Sequence, residues 1–362
     1  MSSVSVPGQP LFTEKPSYSV RPGEAARDEP VIIGLWRAGG LAEPQDDGRA
    51  QARYDWFYRS NPQGQARLTM LWSDREDAPV GSLAIGARSF IVNGRTLAAG
   101  VLVDFVVAPR HRSVLPALTL QREARQQAIE SVPVIYGMPD TKAVALCRRL
   151  PTDVAFNLQR LVRVVRSRVY LNRMMPALVA EFLGAFTDVL DRAWAGLQLL
   201  SCRMGGEWVT GFDESFDELW NRTPQTGVCI GVRNRRFLQW RFLDKPGPAP
   251  YIYAIRDRGT RTLCMYFICE LCDGTLSVKD FLHAGTARDL KRGLLMLAAA
   301  ARRLGANSVS IHVAGDDTVR RALRHAQYLC RSERPFFAVL HPSAAGAAKG
   351  CSWFITQADE DV

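Results

Sequence analysis

Apolar and polar positions alternate in three successive runs, ARLTMLWSD, PVGSLAIGARSFI and RTLAAGVLVDFVV, and predict three neighbouring strands between Ala66 and Val107. The last two runs are separated by Val92, Asn93, Gly94 and Arg95. Asn-Gly favours a hairpin because both residues tolerate positive φ, so the strands are expected to be antiparallel. Upstream, PVIIGLWR from Pro30 predicts an opening strand, and RYDWFYRSNPQG a short aromatic helix stopped at Asn61 and Pro62. Downstream, the chain breaks at Ala108 and Pro109 and passes through the basic loop RHRS. It then takes up helical spacing, with Leu115, Leu118, Ala124 and Ala128 as the apolar stripe. A strand VPVIYGMPD and a helix TKAVALCRRL follow. Strand, loop, helix, strand implies a right-handed crossover and one parallel pair in an otherwise antiparallel sheet.

Residues 158–170 form an extended basic stretch, and MPALVAEFLGAFTDVLDRAWAGLQLL is a long apolar helix. A membrane-surface role is one reading of that helix. Glu181, Asp188 and Asp191 favour the other, packing between domains. The strand, helix, hairpin, helix, strand, helix, strand order then recurs, from EWVTGF to RPFFAVLH. Each half places an Asp near the end of a strand before a long helix: Asp104 in LVDFVVAP and Asp280 in VKDFLHAG. This is the trace a duplication leaves. The fold expected is α/β, two tandem related domains, each a mixed, mostly antiparallel sheet flanked by helices. The boundaries expected are a flexible arm at 1–29, an N-terminal domain at 30–172, a helical connection at 173–205, a C-terminal domain at 206–345 and a tail at 346–362.

Composition narrows the setting. With 47% hydrophobic and 23% charged residues in 362, the chain has enough apolar content for two packed domains. Its first 30 residues lack the apolar core of a secretory signal or anchor, and no run of about 18 apolar residues occurs. Eight cysteines without a signal segment read as reduced thiols, pointing to a cytoplasmic protein. Cys269 and Cys272 are the only close pair and have no second pair at zinc spacing, so no metal is expected. A net charge of +10 favours an anionic partner, but no nucleic-acid recognition motif accompanies it.

YDWFYRSNPQG, VDFVVAP with its RHRSVLPA loop, YGMPD, and FLQWRF followed by a Pro-rich turn and KDFL together resemble the GNAT acyltransferase superfamily. Over roughly residues 30–340 the chain is similar to the two-domain GNAT-like proteins associated with bacterial polysaccharide biosynthesis. The resemblance implies an acyl-CoA donor, acetyl-CoA being the simplest, and an N- or O-acyltransferase acting on a sugar, nucleotide-sugar or amino-acid-derived acceptor. The alternative is a catalytically silent binding or assembly module of the same fold.

In that family the loop after the fourth strand holds the CoA pyrophosphate on backbone N–H groups at a helix N-terminus. Here this implies Val106 and Val107 on the strand, then Arg112, Ser113, Val114, Leu115 and Ala117. Leu115 replaces a usual Gly, which would crowd the ligand, and Pro116 removes one donor. Acyl transfer calls for a base and a proton donor around the thioester. The resemblance assigns these to Asp104 and to Cys147, which stands where the family has a Tyr. The plain readings are a carboxylate holding a loop and a buried thiol. Tyr136 and Asp140 would face the acceptor, with a strand aromatic and a helix cap as their plain readings. In the second half Trp240 and Arg241 match a family Trp-Arg pair, and Asp280 occupies the position equivalent to Asp104. No pyrophosphate loop follows Asp280, so only the first half is expected to bind CoA.

Overall fold

The computed structural model describes residues 17–41, 46–172 and 174–360. The first half runs β1 (Tyr18–Gly23), α1 (Glu29–Gly39), α2 (Asp47–Tyr54), β2 (Arg67–Ser73), β3 (Ala78–Val92), β4 (Arg95–Val107), α3 (Val114–Ala128), β5 (Val134–Gly137), α4 (Val144–Cys147) and β6 (Val154–Val164). Helices α5 (Arg168–Leu171) and α6 (Ala177–Leu199) connect it to the second half. That half runs β7 (Met204–Val209), α7 (Glu214–Arg222), β8 (Val228–Gly231), α8 (Arg235–Leu238), β9 (Tyr251–Asp257), β10 (Leu263–Cys272) and β11 (Thr275–His283). It ends with α9 (Ala287–Arg303), β12 (Ser308–Ala314), α10 (Asp317–His325), β13 (Leu329–Leu340), α11 (Pro342–Ala348) and β14 (Ser352–Thr356).

The strands form one sheet in the order β1-β2-β3-β4-β5-β13-β6-β12-β11-β10-β9-β7. The halves therefore exchange strands at the centre. β13, from the second half, lies between β5 and β6, and β6, from the first, lies between β13 and β12. β8 pairs with β3 and β14, and β14 pairs with β12, so β3-β4-β5-β13-β6-β12-β14-β8 closes into a ring. Phe90, Tyr136, Phe156, Phe336 and Trp353, from five of these strands, meet across it. Tyr136 stacks on Phe336 at 5.6 Å and Phe156 on Phe336 at 4.5 Å, in the range favoured by aromatic pairs.

Duplication is visible in local geometry as well as in element order. DWFYR and QWRFL each form a single π-helical turn, and their tryptophans, Trp56 and Trp240, stack at 5.0 Å. Each indole N–H donates to the other's backbone carbonyl, at 2.7 and 3.0 Å. Each half also carries a bulge at its aspartate, on β4 opposite Ser82–Ala84 and on β11 opposite Ile268–Cys269.

Several expectations are corrected. PVIIGLWR is helical: Glu29 and Pro30 sit in the first turn, Ile32, Ile33 and Trp36 fall on one buried face, and Gly40 at φ 78° ends the helix. Of the arm expected at 1–29, residues 1–16 lie outside the described residues, whereas Tyr18–Gly23 pairs with β2. The tail expected at 346–362 contributes β14 and a turn at Gln357–Asp359, with Asp359 1% exposed; residues 361 and 362 lie outside the described residues. The helix expected from TKAVALCRRL is one turn long.

Helix α6 touches both halves, through Arg163 of β6 and through Lys291 and Arg302 of α9, yet leaves much of its apolar surface in solvent. Its polar side faces the protein, where Asp191 pairs with Arg163 at 2.6 Å and Arg302 at 2.9 Å, and Asp188 accepts from the Ser167 N–H. Leu178, Phe182, Phe186, Leu197 and Leu200 face solvent. Sequence alone could not orient the helix, because the partners of its aspartates lie on β6 and α9. None of the helices among the described residues is long and apolar enough to cross a membrane.

The C-terminal segment fills the crevice of the second half. Past Val278 and Ile311, where β11 and β12 stop pairing, Thr356 donates to Asp280 at 2.6 Å. Arg233, fully buried, bridges Asp280 at 3.0 Å and Asp359 at 2.5 Å, and Arg88 of β3 reaches Asp359 at 2.7 Å. Removing one partner of such a buried pair strands a charge. Asp359→Ala is expected to lower unfolding free energy by about 3–5 kcal/mol in urea denaturation. Arg320→Ala, which breaks the exposed pair with Asp317, should change it by less than about 0.5 kcal/mol.

Candidate active site

β4 and β5 pair in parallel only over Ala99–Val101 and Val134–Tyr136. The cause of their parting is on β4. Asp104 and Phe105 bulge opposite the single residue Leu83, and Asp104 takes φ 52°, a conformation that Asp and Asn tolerate better than most residues. Its carboxylate fixes the bulge, Oδ1 accepting from Arg53 at 2.5 Å and Oδ2 from the Tyr58 hydroxyl at 2.7 Å. Both donors come from the aromatic segment that the sequence marks as a helix. Beyond the bulge β4 pairs again with β3, through Val106 and Val107, both buried.

A cavity of about 510 Å³ lies where the strands part, at the carboxyl ends of the parallel pair, where crevices form in such sheets. Its walls are Leu102–Phe105 of β4, Gly137–Asp140 after β5, Gln121 and Arg125 of α3, Cys147 of α4, Arg334 and Phe337 of β13, and Lys245 and Pro246 of the second half. Thus both halves contribute. Asp140 lines it and, as its plain reading has it, caps the following turn by accepting from the Ala143 N–H at 2.8 Å.

α3 meets the cavity through Gln121 and Arg125, and its first turn precedes them and is not part of the lining. Ser113 is extended, at φ −144° and ψ 173°, and the helix begins at Val114. The N–H groups of Ser113, Val114 and Leu115 have no intrahelical acceptor, as at any helix start. Pro116 falls at the third position, whose N–H would also lack one, so it leaves the helix intact and removes one outward donor. None of residues 112–117 has positive φ, so Leu115 stands there without backbone strain, its side chain exposed at the helix start. Ala117 continues the first turn. Arg112 points inward, its guanidinium donating to the carbonyls of Val107 at 3.0 Å and Gly39 at 2.9 Å, and so braces the loop against α1 and β4.

The remaining expected residues divide sharply. Cys147 lines the cavity, but burial pushes its thiol up, with Arg125 opposing, so it holds its proton more tightly than a free thiol. Tyr136 is fully buried in the aromatic ring core, pushed up to about 12 by burial, and does not reach the cavity. Trp240 is locked against Trp56. Arg241, buried, donates to the carbonyls of Ala358, Gln357 and Glu360. Asp280, 0% exposed, is enclosed by Arg233, Tyr266 and Thr356. Trp240 joins the halves through Trp56, Arg241 and Asp280 brace the second half, and none of the three lines the cavity.

Arg53, Gln121, Arg125, Lys245 and Arg334 were not singled out by the sequence. For Gln121 and Arg125 a signal existed. The buried stripe of α3 is Leu120, Gln121, Ala124, Arg125 and Ala128, so two polar residues four apart interrupt an otherwise apolar face. The apolar spacing through Leu115 and Leu118 pointed to a neighbouring face. Lys245 and Arg334 carry no such signal, being brought in from the second half.

No protein-family model and no curated protein sequence matches the chain. Solved structures do. A GCN5-related N-acetyltransferase from Anabaena variabilis superposes with a TM-score of 0.61 at 15% identity, covering 89% of this chain and 73% of that one. An Enterococcus faecalis protein described as a probable N-acyltransferase gives 0.61 at 10%, covering 90% and 73%. This chain has the tandem GNAT fold. Saccharomyces cerevisiae N-myristoyltransferase with bound myristoyl-CoA, at 0.53 and 9% identity, shares it over 92% of this chain and 86% of the enzyme.

Within this GNAT fold, Asp104 is the residue on which the opening depends. Asp104→Asn keeps an αL-tolerant residue and one acceptor, and is expected to cost about 1–3 kcal/mol, the range for a charged hydrogen bond. Asp104→Val forces a β-branched residue to positive φ and should cost clearly more. Chemical denaturation of both variants checks the order.

Proposed function

We propose that the chain is an acyl-CoA-dependent N- or O-acyltransferase, with acetyl-CoA as the simplest donor and a sugar, nucleotide-sugar or amino-acid-derived acceptor, glycan precursors included. The observation that carries this reading is the parting of β4 and β5 beside an unblocked helix start. A thioester laid along β4 would enter the cavity while its pyrophosphate meets the free N–H groups of Ser113, Val114 and Leu115. In this reading residues 30–172 supply the donor site. Residues 206–345, whose own crevice is filled, help wall the acceptor site through Lys245 and Arg334.

The attacking amine or hydroxyl forms a bond to the thioester carbonyl carbon, the C–S bond breaks, and the acceptor's proton must leave. Asp104 lines the cavity, and each of its oxygens retains a lone pair beside its bond to Arg53 or Tyr58, so it takes that proton directly or through water. Cys147 serves as wall, for the reason given by its raised affinity for its proton. Cys147→Ala is therefore expected to lower turnover by less than tenfold, against the hundredfold or more that loss of a true general acid gives. Steady-state acetyl transfer, followed by mass spectrometry of the product, makes the distinction.

Donor binding has its own test. Acetyl-CoA at a hundred times its Kd should stabilise the protein by about 2.7 kcal/mol, read as a rise in Tm. Val114→Pro removes one free N–H at a helix position where Pro is well tolerated, after an extended Ser113. It should leave Tm of the free protein near the parent's and weaken acetyl-CoA binding by about tenfold, as loss of a charge-assisted hydrogen bond predicts. Absence of any shift with the parent protein would overturn the reading in favour of a catalytically silent binding module.

A further inference from the structure

The charges around the cavity do not balance. Asp104 is engaged by Arg53, Arg334 is paired with Glu360 at 3.1 Å, and Asp140 caps a helical turn. Two cations remain. Arg125 is 7% exposed, its guanidinium donates to the neutral Gln121 at 3.2 Å and lies beside the Cys147 thiol, its Nε has no partner, and among the described residues no carboxylate pairs with it. Burial pulls it below its usual range, and the only group opposing that shift is the Cys147 thiol. Lys245 is half-buried, and among the described residues it forms no ion pair or hydrogen bond. Burial and the neighbouring Arg241 pull its ammonium down to about 8. Buried charges without counter-charges are costly and are normally paired, so a buried guanidinium facing a cavity calls for a ligand that completes it. That anion is not the CoA pyrophosphate. Arg125 lies ten residues beyond Leu115 along α3, roughly 15 Å from the helix start at 1.5 Å per residue.

We propose that the cavity takes an acceptor bearing an anionic group, carboxylate or phosphate, which Arg125 and Lys245 bind from opposite halves of the chain. The planar fork of Arg125 suits either oxyanion, and Lys245 adds a point charge from the loop after the second π-turn. A neutral or cationic acceptor would leave Arg125 unpaired on binding. The identity of this ligand as acceptor rests on the acyltransferase reading; the anion site itself does not.

Three amino sugars on one scaffold test it: glucosamine, glucosamine 6-phosphate and muramic acid, titrated by calorimetry at constant ionic strength without CoA. At least one charged sugar is expected to bind tenfold or more tightly than glucosamine, and which one does so distinguishes phosphate from carboxylate. Arg125→Gln should erase that advantage while leaving the acetyl-CoA-induced rise in Tm unchanged. Lys245→Gln, on a half-exposed loop, should reduce it in part. The free Arg125→Gln protein should melt no lower than the parent, because it loses an unpaired buried charge, whereas a merely structural arginine would be missed. Equal binding of all three sugars, or an advantage that survives Arg125→Gln, overturns the proposal without touching the donor site. An Arg125-dependent advantage in a protein that ignores acetyl-CoA supports the anion site and removes the transferase reading.

Discussion

The bulge at Asp104 is the constraint on which the site depends. A residue at positive φ shifts the register of β4 against β3, and the strand then turns away from β5. Arg53 and Tyr58 hold the strained residue in place with two short hydrogen bonds. The aromatic segment before β2 is thus coupled to the opening of a strand pair far away in sequence, and a local backbone anomaly is kept because its surroundings over-determine it.

The second half has a bulge at the equivalent place, with Lys279 as the extra residue and no positive φ at Asp280, and a different outcome. Asp280 is satisfied internally by Tyr266, Arg233 and Thr356, and the segment carrying Thr356 and Asp359 occupies the space that stays open in the first half. One copy of a duplicated fold keeps a crevice while the other spends it on cohesion. Through Arg88 and Asp359 the buried charge cluster also ties β3 to the chain's C-terminal turn, and the exchanged strands β6 and β13 make each half incomplete without the other. The cavity sits at this junction. That is why Lys245 and Arg334 reach it.

A cavity built between halves can divide its tasks. On the proposed reading the free N–H groups at the start of α3 would meet the donor's pyrophosphate, while Arg125, further along the same helix, would meet the acceptor's anion. One helix would then serve both a dipole-based site and a side-chain site, separated by its own rise.

The alternation of β2, β3 and β4, the Asn93-Gly94 hairpin, the crossover through α3 and the repeated order of elements were legible in the chain, since each depends on near-neighbour patterning. So was the importance of Asp104, through its place before the loop. PVIIGLWR misled, because an apolar run of that length suits a strand or a buried helix equally, and the helix wins only once β3 and β4 supply a surface for Ile32 and Trp36. Tyr136, Trp240, Arg241 and Asp280 were credited with a ligand that the fold withholds from them. Their partners, Phe336, Trp56, the carbonyls of 357–360 and Arg233, all lie on other elements. The sequence by itself determined β2, β3, β4, α3 and the relatedness of the halves, because these rest on near-neighbour patterning. Only the tertiary structure decided which half stays open, which way α6 faces, and that Arg125 and Lys245 share one cavity, because burial and unpaired charge are properties of surroundings and not of residues.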